Sequence, residues 1–96
     1  MPKLYLTPKA ESDLEAIHEH YSLKIGAKRA AVVLLDMIET LEMLRAFSHV
    51  GRAGRVPDTR ELIFSDYPFL AAYRVKEDRV EVFRILHQRA ESAAHW

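Results

Sequence analysis

Cysteine is absent from this 96-residue chain. That excludes a disulfide scaffold, a thiolate-bound zinc and a thiol nucleophile, and it fits a reducing compartment. Long apolar runs are missing as well. No window approaches the length of a membrane span, and the opening Met1-Pro2-Lys3-Leu4-Tyr5-Leu6-Thr7-Pro8 holds no apolar segment of the length a secretory leader needs. We therefore expect a cytoplasmic protein that makes no use of a membrane. An excess of one charge is the third absence: 14 basic residues face 14 acidic ones. Proteins that draw their affinity from phosphates usually carry a basic surplus, so global charge gives no support to nucleic-acid binding. Repeats and low-complexity tracts are also lacking.

Apolar residues make up 49% of the chain, enough to fill a core and exclude disorder as the main state. The length predicts one domain spanning residues 1–96. A chain of this size hides roughly two thirds of its unfolded surface. Little apolar surface is then left to line a deep pocket, so we expect no cofactor and a surface that acts on another macromolecule.

Lys3 to Leu6 reads as a short strand, with Leu4 and Leu6 on one side and Lys3 and Tyr5 on the other. Thr7 is a good N-cap, Pro8 suits a first helical position, and Glu11, Asp13 and Glu15 favour the start of a helix dipole. Ala10, Leu14, Ile17 and Tyr21 form one apolar stripe, and Gly26 separates this helix from a second over residues 27–47. In that second helix Ala27, Ala31, Leu34, Ile38, Leu41 and Leu44 give the expected inward stripe. Val32, Val33, Leu35, Met37 and Met43 spread apolar surface around the rest, either as a wide core contact or as a surface for a partner chain.

Residues 49–57 read as a loop containing Gly51 and Gly54. Strands follow at Arg60 to Phe64, Phe69 to Val75 and Val80 to His87, with turns at Ser65-Asp66 and Lys76 to Arg79. The last strand is nearly continuous in apolar residues, as a central strand covered on at least one face would be. The predicted order is β-α-α-β-β-β, an α+β fold in which a helical hairpin packs on a small antiparallel sheet. The tail from Gln88 to Trp96 gives no clear pattern.

Few residues suggest chemistry. Glu15 and His18 have a metal-site spacing, but such a site needs further partners that the chain does not supply, and His20 points elsewhere. No metal is expected. Between Arg45 and Arg60 stand Arg45, Arg52, Arg55 and Arg60 against the single acid Asp58. Guanidinium forks bind carboxylates or phosphates; here they face a polyanion or pair with Asp58, Glu61 and Asp66. Arg84 lies in an apolar strand and requires a partner or an open face. His87 and Arg89 share the side of the strand opposite Arg84. His87 suits a general acid or base, or a structural role in which it bonds to backbone and anchors the tail.

Four segments together resemble the RelE/ParE superfamily of bacterial toxins from toxin–antitoxin modules, in its ParE (plasmid-stabilisation) branch. They are residues 6–10 leading into 13–17, residues 51–62, Ala72-Tyr73-Arg74-Val75, and Val82-Phe83-Arg84-Ile85-Leu86-His87-Gln88-Arg89. The resemblance implies a toxin held by a cognate antitoxin, of a DNA-binding ribbon–helix–helix type with a toxin-wrapping tail. It implies either inhibition of DNA gyrase, the ParE activity, or ribosome-dependent mRNA cleavage, the RelE activity. The RelE pattern is thin here. Arg60-Glu61-Leu62-Ile63-Phe64 stands where RelE has a lysine-rich strand, and apolar Phe69-Leu70 stand near a RelE arginine. A ribonuclease would have to work with Arg60, His87 and Arg89. A gyrase inhibitor needs no catalytic residue. Its target-binding candidates are Arg52, Arg55, Arg60, Arg84, His87 and Arg89, and its antitoxin-binding candidates are Val33, Met37 and Met43.

Overall fold

A computed structural model of the protein describes residues 2–89. The chain runs through β1 (Lys3–Leu6), α1 (Pro8–Ile25), α2 (Ala27–Glu42), a 3₁₀ turn (Met43–Arg45), β2 (Arg52–Ala53), β3 (Arg60–Ile63), β4 (Phe69–Val75) and β5 (Arg79–His87). The α+β plan is the expected one, a helical hairpin on a sheet. It has an additional short strand, β2, inside the segment read as a loop, and the second helix gives way to the 3₁₀ turn five residues earlier than expected. The tail beyond Arg89 lies outside the described residues.

The start of α1 follows its sequence signals. The Ala10 N–H donates to the Thr7 hydroxyl oxygen at 3.2 Å, with Pro8 as the first helical residue. Gly26 joins the helices at φ 89°, ψ 159°, a backbone region that residues with a Cβ avoid.

The strand order is β1-β5-β4-β3-β2. β5 is interior, as its apolar run predicts. The sheet is mixed, because β1 runs parallel to β5 while the other pairs are antiparallel. The helical hairpin between β1 and the later strands supplies the crossover that a parallel pair requires.

One face of the sheet meets the helices. Leu62, Phe64, Ala71, Tyr73, Val80, Val82 and Ile85 pack against Ala10, Leu14 and Ile17 of α1 and Val33, Met37 and Leu41 of α2, with Leu44 at the end. The α1 stripe is the predicted one. The α2 stripe is so only in part: Leu41 and Leu44 are buried as expected and Leu34 packs against the core, but Ala30, Val33 and Met37 face inward in place of the expected Ala31 and Ile38. Val32, Leu35 and Ile38 are the exposed large apolar residues of that helix, and Ala27 and Ala31 are exposed as well.

A bulge interrupts β5. Tyr73 pairs with Val82 and Ala72 with Arg84, which leaves Phe83 extra. β1 has ended by this point, and residues around α1 cover the strand edge instead. The Thr7 N–H donates to the Val82 carbonyl at 3.0 Å, and the Thr7 hydroxyl donates to the Phe83 carbonyl at 3.2 Å. Asp13 accepts from the Ile85 N–H at 2.9 Å.

Candidate functional site

The arginine loop is organised by a buried acid. Glu61 is 2% exposed, in β3 between β4 and β2 and directly across from Arg52 of β2. Its Oε1 accepts from Arg52 Nε at 3.1 Å and Nη2 at 2.9 Å. Its Oε2 accepts from the Arg55 N–H at 3.3 Å, with Arg55 Nε at 3.8 Å. A buried carboxylate must be paired to be tolerated, and here two arginines share the task. Their guanidinium groups remain half-exposed, at 57% and 41% of the side chain.

The backbone around them is tightly packed. The Gly54 N–H donates to the Thr59 carbonyl at 2.8 Å, and the Gly51 N–H donates to the Tyr73 hydroxyl at 2.9 Å. A Cβ at Gly51 would meet the Tyr73 ring, and one at Gly54 would collide with Thr59. The two loop glycines therefore serve close packing. Burial pushes the Tyr73 phenol up in pKa, while the bond from Gly51 and the nearby Arg60 charge pull the other way.

The six target-binding candidates do not form one cluster. Arg52 and Arg55 converge on Glu61. Arg60 Nη1 donates to the main-chain carbonyls of Gly51 at 2.8 Å and His49 at 3.2 Å. Arg84 is engaged within the fold: its Nε and Nη2 donate to the two Asp13 oxygens at 2.8 and 3.2 Å. His87 is exposed, its Nδ1 accepting from the Arg89 N–H at 3.1 Å and its ring lying edge-on to Phe69. Arg55 also reaches the other end of the sheet, with Nη2 at 3.5 Å from the Gln88 carbonyl.

The three groups proposed for a ribonuclease lie apart. Arg60 is opposite Tyr73 and His87 is opposite Phe69, on either side of β4. Four residue steps along the strand and two strand spacings across it separate their Cα atoms by roughly 16 Å. Only His87 and Arg89 are neighbours.

Of the antitoxin-binding candidates, Val33 and Met37 are core residues, 6% and 0% exposed, and so are not available to a partner; Met43 is 40% exposed. The correction follows from the phase of α2. Val32, Leu35 and Ile38 take the outward positions. A groove of about 380 Å³ runs between the helices, lined by Glu11, Leu14, Glu15, His18, Leu34 and Ile38. Among the described residues, no cluster of His, Cys, Asp and Glu could hold a metal ion, and no helix is long and apolar enough to cross a membrane.

The model of one protein family, described as the ParE toxin of the type II toxin–antitoxin system parDE, matches residues 4–91. The chain belongs to the ParE toxin family. A protein of Sinorhizobium fredii named "Putative toxin Y4kP" is 34% identical over 67 residues, covering 70% of this chain and 69% of that one. A solved structure described as the chromosomal ParDE TA system from P. aeruginosa superposes with a TM-score of 0.85 at 36% identity, covering 91% of this chain and 96% of the other. The solution structure of a conserved hypothetical protein of Helicobacter pylori shares the fold at a TM-score of 0.53 and 20% identity, over 91% of this chain and 94% of that one.

In this ParE-family chain, sequence reasoning found the arginine loop but not its geometry. Glu61 was one of three acids within reach, and the cross-strand register chose it. Asp13 was read only as a helix-dipole residue, and it is the partner that Arg84 required. Nothing local in the sequence links positions 71 residues apart.

Proposed function

We propose that this ParE-type toxin acts in the cytoplasm by binding DNA gyrase and inhibiting it, in a plasmid-stabilisation role, and that it cuts no bond itself. The observation that carries this reading is the dispersal of the cationic groups. Arg84 and Arg60 are occupied within the fold, and Arg60 stands roughly 16 Å from His87 by the strand spacing. A phosphoryl-transfer site needs such groups gathered around one phosphate, whereas a binder needs only an exposed, ordered surface. The half-exposed Arg52 and Arg55, with Arg55 reaching the Gln88 carbonyl between His87 and Arg89, offer that surface.

A cognate antitoxin completes the proposal, a ribbon–helix–helix DNA-binding protein with a tail that lies along the helical hairpin. The outward row Val32, Leu35 and Ile38, with Met43, suits an amphipathic partner helix.

Purified toxin added to a gyrase supercoiling assay should suppress supercoiling, and ribosomes programmed with mRNA should keep their message intact. Cleavage in the ribosomal A site with supercoiling untouched would reverse the assignment to the RelE-like activity.

A further inference from the structure

Net neutrality conceals a separation of charge. Residues 8–42, the helical hairpin, hold seven acidic and four basic side chains, so the rest of the chain holds seven acidic and ten basic ones. The strand register gathers part of that basic excess on one surface. Residues paired across neighbouring strands point to the same side of a sheet. Leu4, Val80 and Val75 form one such row and Leu6, Val82 and Tyr73 another, all against the helical core. The alternate rows point away from the helices: Lys3 beside Arg79, then Tyr5 beside Glu81 beside Arg74.

Among the described residues, this half of the outer face is open. Tyr5 is 47% exposed and the Arg79 side chain 46%. Arg79 reaches Glu81 at 3.6 Å. Arg74 lies over the Phe83 ring, 5.2 Å from its centroid. Among the described residues it has no ion pair, and its Nε is buried without an acceptor. Lys3 also lacks an ion pair among the described residues. A half-buried guanidinium with no carboxylate is a cost that folding alone leaves unrecovered.

The geometry points to this surface, centred on Arg74, as the docking site for an acidic protein segment. Its carboxylates pair with Arg74, Arg79 and Lys3, and Tyr5 and Phe83 supply apolar contact. A protein fits better than a nucleic acid because Glu81 sits between the cations. A continuous run of phosphates would meet that carboxylate as repulsion, whereas a protein surface of mixed charge can complement it. The inference rests on the gyrase reading and deepens it: the face turned toward the target, on the opposite side of the sheet from α1 and α2, runs from Arg52, which the register puts on the same side as Ala72 and Arg74, on to Arg79 and Lys3.

The test uses Lys3→Glu/Arg79→Glu, two exposed positions, with Arg74→Gln as a second variant. Supercoiling inhibition, growth arrest on induction, antitoxin affinity and melting temperature are measured together. We expect the toxin concentration for half-inhibition to rise about tenfold or more, with weaker growth arrest, unchanged melting and antitoxin affinity within about twofold of the parent. Inhibition and arrest equal to the parent's would overturn the docking site. Lost antitoxin affinity would overturn it too, by assigning the face to the antitoxin. If the parent binds single-stranded or duplex DNA on filters and the double variant does not, the partner is a nucleic acid and the proposal fails. If the parent leaves gyrase active, the gyrase reading falls by itself, and growth arrest alone decides: weakened arrest in the variants sustains the docking site for another protein target, and full arrest removes it. A parent that neither inhibits gyrase nor arrests growth removes both.

Discussion

Glu61 sets the arginine loop, and the two sides of its ion pairs are not equivalent. Removing the carboxylate leaves two half-exposed guanidinium groups that can turn to water. Removing both arginines leaves a carboxylate that is 2% exposed, with the Arg55 N–H as its remaining donor. A buried charge stripped of its partner typically costs about 3–5 kcal/mol. Arg52→Ala/Arg55→Ala should therefore lower the urea midpoint further than Glu61→Gln, with a cost near the bottom of that range against about 1 kcal/mol for the Gln variant. Equal midpoints would mean that the carboxylate finds water or another donor. A second residue-scale prediction concerns Tyr67, whose hydroxyl donates to Asp36 Oδ2 at 2.7 Å. That hydrogen bond, then burial and the Asp36 charge, push its pKa up from 10.0 to about 12. Folding thus favours the protonated phenol. The stabilisation is complete below pH 10.0 and is lost as pH rises through about 12. Ultraviolet titration should show Tyr67 ionising late, alongside the buried Tyr73, and Asp36→Asn should bring Tyr67 alone back toward the exposed tyrosines.

At the scale of elements, Asp13 joins helix to sheet where β1 has stopped. Its carboxylate holds Arg84 and the Ile85 N–H at the bulge. Asp13→Ala leaves a largely buried guanidinium and a backbone donor unpaired, so a loss of about 2–4 kcal/mol is expected. Amide exchange should accelerate first around Phe83 to Ile85. Exchange that rises evenly through the sheet would show that the bulge is held by other contacts. α1 was legible because its apolar residues occupy a single stripe and Thr7 and Pro8 mark its start. α2 was legible as a helix but not in its rotation. Ala31, Leu34 and Ile38 make as plausible an inner stripe as Ala30, Val33 and Met37, and only contact with α1 and the sheet separates them. β2 escaped notice because two residues give no alternation; its existence depends on Arg52 and Ala53 pairing with β3.

For the whole molecule, equal numbers of acidic and basic residues led to the expectation that global charge gives no support to nucleic-acid binding. The fold sorts those charges by layer, with the acidic surplus on the hairpin and the basic surplus among the remaining residues. A neutral protein with oppositely charged faces should attract its own copies when salt is low and release them when salt screens the faces. Light scattering across an ionic-strength series should show apparent mass falling as salt is added, and a mass independent of salt would contradict the separation of charge as a source of attraction.

Local order and composition were enough for much of this protein. Caps, stripes and turn residues fix α1 and the β3–β5 succession because they act over a few neighbouring positions. Four short segments in order were enough to indicate the ParE family, which the match over residues 4–91 establishes. The three-dimensional arrangement alone decided which face of α2 is buried, which acid holds the arginine loop, what pairs with Arg84, and which cations share a surface. Each of those outcomes depends on residues far apart in the chain meeting across strands or layers, and no local pattern records such meetings.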